Sequence, residues 1–175
     1  WIAAQMLRPG DSLRACELHP SDYPQLAANI LRLRPRRNLI EQSDGFQSLI
    51  AALPPPQHRA VVLIDPPYED KNDCQRLEHS LKKAFARFPQ ACILVWYPLL
   101  SHLPALAQHY QLDYLQATHC VCAPSNKGFG MYGSAMMIYN PPYTLSQTLA
   151  DCAADLKQHF AQDADADFIL QSHSR

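Results

Sequence analysis

Four consecutive residues, Asp65-Pro66-Pro67-Tyr68, bring a carboxylate, a stiff proline backbone and a flat aromatic ring together. A carboxylate accepts hydrogen bonds and a ring stacks, so the group can hold a planar partner with a polar N–H edge, such as the exocyclic amine of a nucleobase. The run before it, Ala60-Val61-Val62-Leu63-Ile64, is apolar, β-branched and unalternating. That pattern predicts a central parallel strand covered on both faces, and the prolines stop it because they cannot donate to the ladder. Acid and ring are then left at the strand's carboxyl end, the edge at which ligands collect in open α/β sheets. A second copy, Asn140-Pro141-Pro142-Tyr143, repeats the pattern, so the motif by itself does not say which copy carries chemistry.

The elements that must position these residues alternate between strand-like and helix-like segments, the pattern of a doubly wound sheet. A helix end over residues 1–8 is closed by Pro9-Gly10. A strand over 13–18 and an amphipathic helix over 21–34 follow, the helix with Leu26, Ile30 and Leu33 on one face. Next come a strand over 38–42, a helix over 46–53, the connector Pro54-Pro55-Pro56, the Asp65 strand, and a helix over 73–88. A strand over 91–97 precedes a helix over 103–110. Strands over 112–123 and 131–140, joined by a short Gly-containing link, make an antiparallel pair, and a last helix covers 145–160.

The chain has 175 residues, 47% apolar and 18% charged, with a net charge of -1. This is one domain's worth of chain, and its near-neutral balance argues against a polybasic binder; a nucleic acid would meet a local patch. Six cysteines, none in a C-x-x-C pair, read as reduced thiols of a cytoplasmic protein, and Cys120 and Cys122 beside His119 read as strand cysteines without a metal. No apolar stretch reaches the roughly 20 residues of a membrane span and no signal peptide is visible, so no membrane partner is expected.

The motif resembles the Asp/Asn-Pro-Pro-Tyr signature of S-adenosylmethionine-dependent amino-methyltransferases. The order of elements resembles the class I (Rossmann-like) methyltransferase fold, an α/β fold whose mostly parallel sheet is closed by an antiparallel strand pair. In that fold a first strand and a glycine-rich cofactor loop precede the helix ending near Arg8; neither is found and the chain opens on Trp1, so a carboxyl-terminal part of a longer protein is expected. A methyltransferase domain is expected over residues 1–160 and an acidic, poorly ordered tail over 161–175.

Strand direction separates the two Pro-Pro copies. The strand ending at Asp65 is parallel to its neighbours and points its carboxyl end at the ligand edge, whereas the strand ending at Asn140 is antiparallel and points away. Asn140 is then a strand stop, with Thr144 placed to cap the next helix. Glu17, Asp44-Gly45 and Asp65 close three successive β/α units, so their carboxylates are expected along one edge. There Glu17 would accept from ribose hydroxyls and Asp44 from an adenine amine, with Gly45 allowing close backbone approach. The plain structural roles are an exposed acid before a turn for Glu17 and a helix N-cap for Asp44.

Glu17-Leu18-His19-Pro20-Ser21-Asp22-Tyr23, Asp44-Gly45-Phe46, Leu63-Ile64-Asp65-Pro66-Pro67-Tyr68-Glu69, Trp96-Tyr97-Pro98 and Asn140-Pro141-Pro142 together resemble the bacterial 23S ribosomal RNA adenine-N6 methyltransferase family. The resemblance implies that Glu17, Asp44, Gly45 and Asp65 contact S-adenosylmethionine, that S-adenosylhomocysteine is the product, and that Asp65 is also the proton acceptor. It implies a cytoplasmic monomer acting on 23S RNA before full ribosome assembly. Asp65 and the Pro66 carbonyl would each accept an N–H of the target amine, with Pro67, Tyr68 and Lys127 on the substrate side and Tyr68 stacking on the base.

Trp96 reads as core rather than site, the loop Ser125-Asn126-Lys127-Gly128-Phe129-Gly130 as an RNA contact or a plain hairpin turn, and the cluster Arg32, Arg34, Arg36, Arg37 as a solvated helix end rather than an RNA groove. The rival readings are a DNA adenine or protein glutamine amino-methyltransferase, and a non-enzymatic nucleic-acid-binding protein linked to uptake or use of external DNA.

Overall fold

The structure is a computed structural model that describes residues 2–33, 38–68, 72–100, 110–125 and 130–174. The chain divides into two compact units, Trp1–Leu53 and Pro54–Arg175, with the boundary at the triple-proline connector.

The first unit runs α1 (Ile2–Met6), β1 (Leu13–Cys16), α2 (Asp22–Leu33), β2 (Asn38–Glu41) and α3 (Gly45–Ala52). Pro24 is tolerated because it lies in the first turn of α2, where its missing N–H has no intrahelical partner to lose. Ile30 on the apolar stripe of α2 is buried. β1 and β2 pair in parallel, Leu13 opposite Asn38 and Cys16 opposite Glu41, and the Arg14 guanidinium meets the Glu41 carboxylate at 2.7 Å.

The second unit runs β3 (Val61–Ile64), α4 (Asp73–Arg87), β4 (Cys92–Leu99), β5 (Tyr114–Cys120), β6 (Gly133–Tyr139), α5 (Leu145–Phe160) and β7 (Asp167–His173). Its five strands are ordered β3-β4-β6-β5-β7. The predicted helix over 103–110 lies almost wholly outside the described residues.

The core of this unit is a helix stripe on a sheet face. Leu77, Leu81, Ala84 and Phe85 recur at helical spacing along α4 and are all buried, as are Ile93, Val95 and Tyr97 on β4 and Ala135, Met137 and Tyr139 on β6. The antiparallel register sets Ile93 opposite Tyr139, Val95 opposite Met137 and Tyr97 opposite Ala135, so these side chains share a face. Phe85 meets Tyr139 edge-on with ring centroids 5.3 Å apart. On the opposite face His119 lies between the rings of Phe160 and Phe168, at 5.7 and 5.6 Å. Gly133 is required where β6 passes β5: a Cβ there would stand 2.2 Å from the His119 carbonyl oxygen and 2.8 Å from Cys120 Cα.

Within the first unit β1–β2 is a parallel pair; within the second, the described strands form a mixed sheet with one parallel pair, β3–β4, and three antiparallel ones, where a mostly parallel sheet was expected. On β3, whose hydrogen-bonded neighbour among the described residues is β4, Val61 is 77% and Leu63 63% exposed. The residues after 160 are not a disordered tail. Asp163 accepts from the Ala123 and Asp165 N–H groups, and β7 then adds to the open edge of β5, Tyr114 opposite His173 and Cys120 opposite Asp167.

Candidate active site

At the carboxyl end of β3 the chain turns through Asp65-Pro66-Pro67-Tyr68. Register with β4 carries Ile64 opposite Val95, so Asp65 follows opposite Trp96. Pro66 is buried, whereas Asp65 and Pro67 are exposed. Although Asp65 is accessible, neighbouring protein removes enough water to push its carboxyl pKa above the ordinary aspartate value.

Tyr68 is half-buried and stands at φ 56°, a left-handed conformation that bulky residues rarely adopt. Its hydroxyl donates to the Trp96 carbonyl at 2.6 Å, and its ring lies 6.4 Å from the Trp96 indole at 53°. Burial, and then the nearby Cys74, Asp65, Tyr97 and Asp73, push the Tyr68 phenol far above its usual range, so it stays a neutral donor. Trp96 is therefore not core as expected: it is half-buried, and its ring flanks that of Tyr68. Behind it, buried Tyr97 accepts a 2.9 Å hydrogen bond from the Gln116 amide.

The second motif copy is spent on structure. β6 runs antiparallel to β4, so Asn140 lies at the amino end of β4, away from the carboxyl end that Asp65 faces. Its amide donates to the Pro89 and Ala91 carbonyls, both at 2.8 Å, and its N–H to Asp113 at 2.9 Å, with φ at 49°. Tyr143 is 96% exposed. Thr144 does occupy the N-cap position of α5, but its hydroxyl makes no cap bond; instead the Thr148 hydroxyl donates to the Thr144 carbonyl.

In the first unit Glu17 and Asp44 lie past the carboxyl ends of the parallel strands β1 and β2. The Glu17 N–H donates to the Glu41 carbonyl at 3.1 Å, and one carboxylate oxygen accepts the His19 N–H at 2.8 Å. Asp44 is the N-cap of α3 and accepts the Phe46 N–H at 2.9 Å. A Cβ on exposed Gly45 would meet nothing nearer than Cys16 Cβ at 4.0 Å, so space for close approach exists above that backbone.

Asp65, Pro66, Pro67 and Tyr68 thus lie in one loop of the second unit, Glu17 and Asp44-Gly45 at one edge of the first. Lys127, Arg34, Arg36 and Arg37 lie outside the described residues; Arg32 is exposed at the end of α2. Among the described residues no three His, Cys, Asp or Glu side chains cluster as metal ligands, and no helix is long and apolar enough to cross a membrane. The Trp96 carbonyl is the feature that sequence reasoning missed, although a signal existed: a proline just past a parallel strand removes an N–H that the neighbouring strand would otherwise receive.

These features define an α/β protein with a carboxylate and a tethered aromatic at a strand end. The crystal structure of protein LPL1258 from Legionella pneumophila str. Philadelphia 1 has a similar fold, with a TM-score of 0.81 and 26% identity over 99% of this chain and 65% of that one. The chain belongs to the family described as RsmJ: Ribosomal RNA large subunit methyltransferase D, RlmJ, whose model matches residues 1–169. A relative from Escherichia coli (strain K12), Ribosomal RNA large subunit methyltransferase J, is 37% identical over 154 residues, 85% of this chain and 54% of the relative. One of the same name from Haemophilus influenzae (strain ATCC 51907 / DSM 11121 / KW20 / Rd) is 35% identical over 161 residues, 86% of this chain and 54% of the relative. The chain spans about half the length of these curated relatives.

Proposed function

We propose that the protein containing this chain is an S-adenosylmethionine-dependent methyltransferase that places one methyl on the N6 amine of an adenine in 23S ribosomal RNA. The observation that carries this reading is the strand-end loop, in which Asp65 and the Pro66 carbonyl are acceptors beside the held ring of Tyr68, in a chain of this family.

The amine of adenine is a weak nucleophile because its lone pair is delocalised into the ring. Asp65 accepts one N–H and the Pro66 carbonyl the other, which lets the nitrogen pyramidalise and aim its lone pair. Tyr68 holds the unstacked base; base–aromatic stacking is worth about 1–3 kcal/mol. Asp65 takes the proton released once nitrogen has become cationic, and no metal is needed. The bound cofactor supplies an electrophilic methyl on sulfonium. Acceptors at the ends of β1 and β2 and the open backbone at Gly45 suit it: Glu17 would accept from ribose hydroxyls and Asp44 from the adenine amine. Pro67 and Lys127 complete the substrate side. The enzyme works as a cytoplasmic monomer on RNA not yet fully assembled.

Mass spectrometry of ribosomal RNA from cells with and without the gene tests the reading. Loss of one N6-methyladenosine is expected; an unchanged inventory overturns it. Labelling ribosomal RNA, duplex DNA and protein in parallel with the full-length protein separates the other amino-methyltransferase readings, and absence of S-adenosylhomocysteine binding would favour the non-enzymatic one.

A further inference from the structure

The hydrogen bond on Trp96 follows from the ladder it completes. The Cys92 N–H donates to the Ala60 carbonyl at 3.2 Å, and a parallel ladder advances two residues per rung on each strand. Leu94 and Trp96 are the next residues of β4 in this series, and continuing it by one rung past Ile64–Val95 sets the Trp96 carbonyl opposite the backbone nitrogen of residue 66. That residue is proline and has no N–H to give. The Tyr68 hydroxyl, two residues further on, reaches back to the same carbonyl at 2.6 Å, and the chain allows it by taking φ 56° at Tyr68.

We propose that the Tyr68 hydroxyl is a positioning group that replaces the missing Pro66 N–H in the β3–β4 ladder, thereby setting the angle of its own ring and the direction of the Pro66 carbonyl beside Asp65. The proposal rests on the reading above, in which that ring stacks on the target base. Its physical basis is the stiffness of the loop. Pyrrolidine rings lock φ at residues 66 and 67, so few soft torsions remain between the strand end and the tyrosine. A tether at the far end of so short a segment restrains those that remain. The tether persists across the working pH range because the buried phenol holds its proton. The Trp96 indole, 6.4 Å away, lies alongside the ring that the tether holds.

The test uses the full-length protein with ribosomal RNA as substrate and compares Tyr68→Phe, which keeps the ring, with Tyr68→Leu, which removes it. Turnover is counted per molecule that binds S-adenosylhomocysteine, so partial unfolding does not register as lost positioning. Tyr68→Phe is expected to keep KM for RNA within about twofold while kcat falls about tenfold, the signature of misplaced rather than unbound reactants. Tyr68→Leu is expected to raise KM about tenfold as well. Parent-like kcat in Tyr68→Phe, with or without a lower melting temperature, beside a raised KM in Tyr68→Leu overturns the hydroxyl's role and leaves stacking standing. Parent-like KM in Tyr68→Leu overturns the stacking reading and with it this proposal.

Discussion

Asn140→Ala separates the two Pro-Pro motifs by what each is for. The substitution removes two side-chain hydrogen bonds of 2.8 Å, to the Pro89 and Ala91 carbonyls, and leaves a residue without a polar side chain at φ 49°. Each bond contributes about 0.5–1.5 kcal/mol net, and the left-handed conformation costs an ordinary L-residue about 1–2 kcal/mol. Together the loss is about 2–5 kcal/mol, which lowers the melting temperature by on the order of 10 °C. In urea the midpoint falls with the slope unchanged, since the surface exposed on unfolding is the same. Transfer per folded molecule stays at the parent level because Asn140 lies at the amino end of β4, away from Asp65. A variant that melts like the parent yet has lost transfer would refute the strand-direction argument, and with it the choice of Asp65.

Asp65→Asn in the full-length protein should behave in the reverse way, with transfer lost and melting at pH 7 equal to or above the parent's. Burial raises the Asp65 pKa in the folded state, so the native form binds its proton more readily than the unfolded chain. Its stabilising contribution is complete below the ordinary aspartate pKa and is lost as pH rises through the raised folded value. Transfer needs the carboxylate, so the acid limb of kcat should lie above the pH at which a free aspartate titrates; a limb at the pKa of a free aspartate, or a clear drop in melting at pH 7, would contradict this. Gly133→Ala should destabilise by about 1–3 kcal/mol or more, because the new Cβ meets backbone of His119 and Cys120 that cannot swing aside; a parent-like denaturation midpoint would count against that packing. Asp44→Ser keeps an N-cap acceptor on the Phe46 N–H and should melt within about 0.5 kcal/mol of the parent, while calorimetry shows S-adenosylhomocysteine affinity falling about tenfold. Unchanged affinity would leave Asp44 a cap and nothing more.

The sequence by itself determined features whose physics is local. The periodicity of α4 and α5, the capping of α3 by Asp44 and the abrupt end of β3 at two prolines depend on neighbouring residues alone. The antiparallel direction of β6 was legible because a short connector leaves no room for a crossover, and it puts the two motif copies at opposite ends of β4. Only the tertiary structure decided what depends on a partner strand. Residues 167–173 follow an acidic, alanine-rich stretch that reads as disorder, but β5 offers an open row of donors and acceptors, and pairing with it makes β7 a strand. Tyr68 was read as a ring for stacking. Its hydroxyl found its role only when β4 came alongside, because the carbonyl it satisfies lies 28 residues away and lacks a donor through the proline that ends β3.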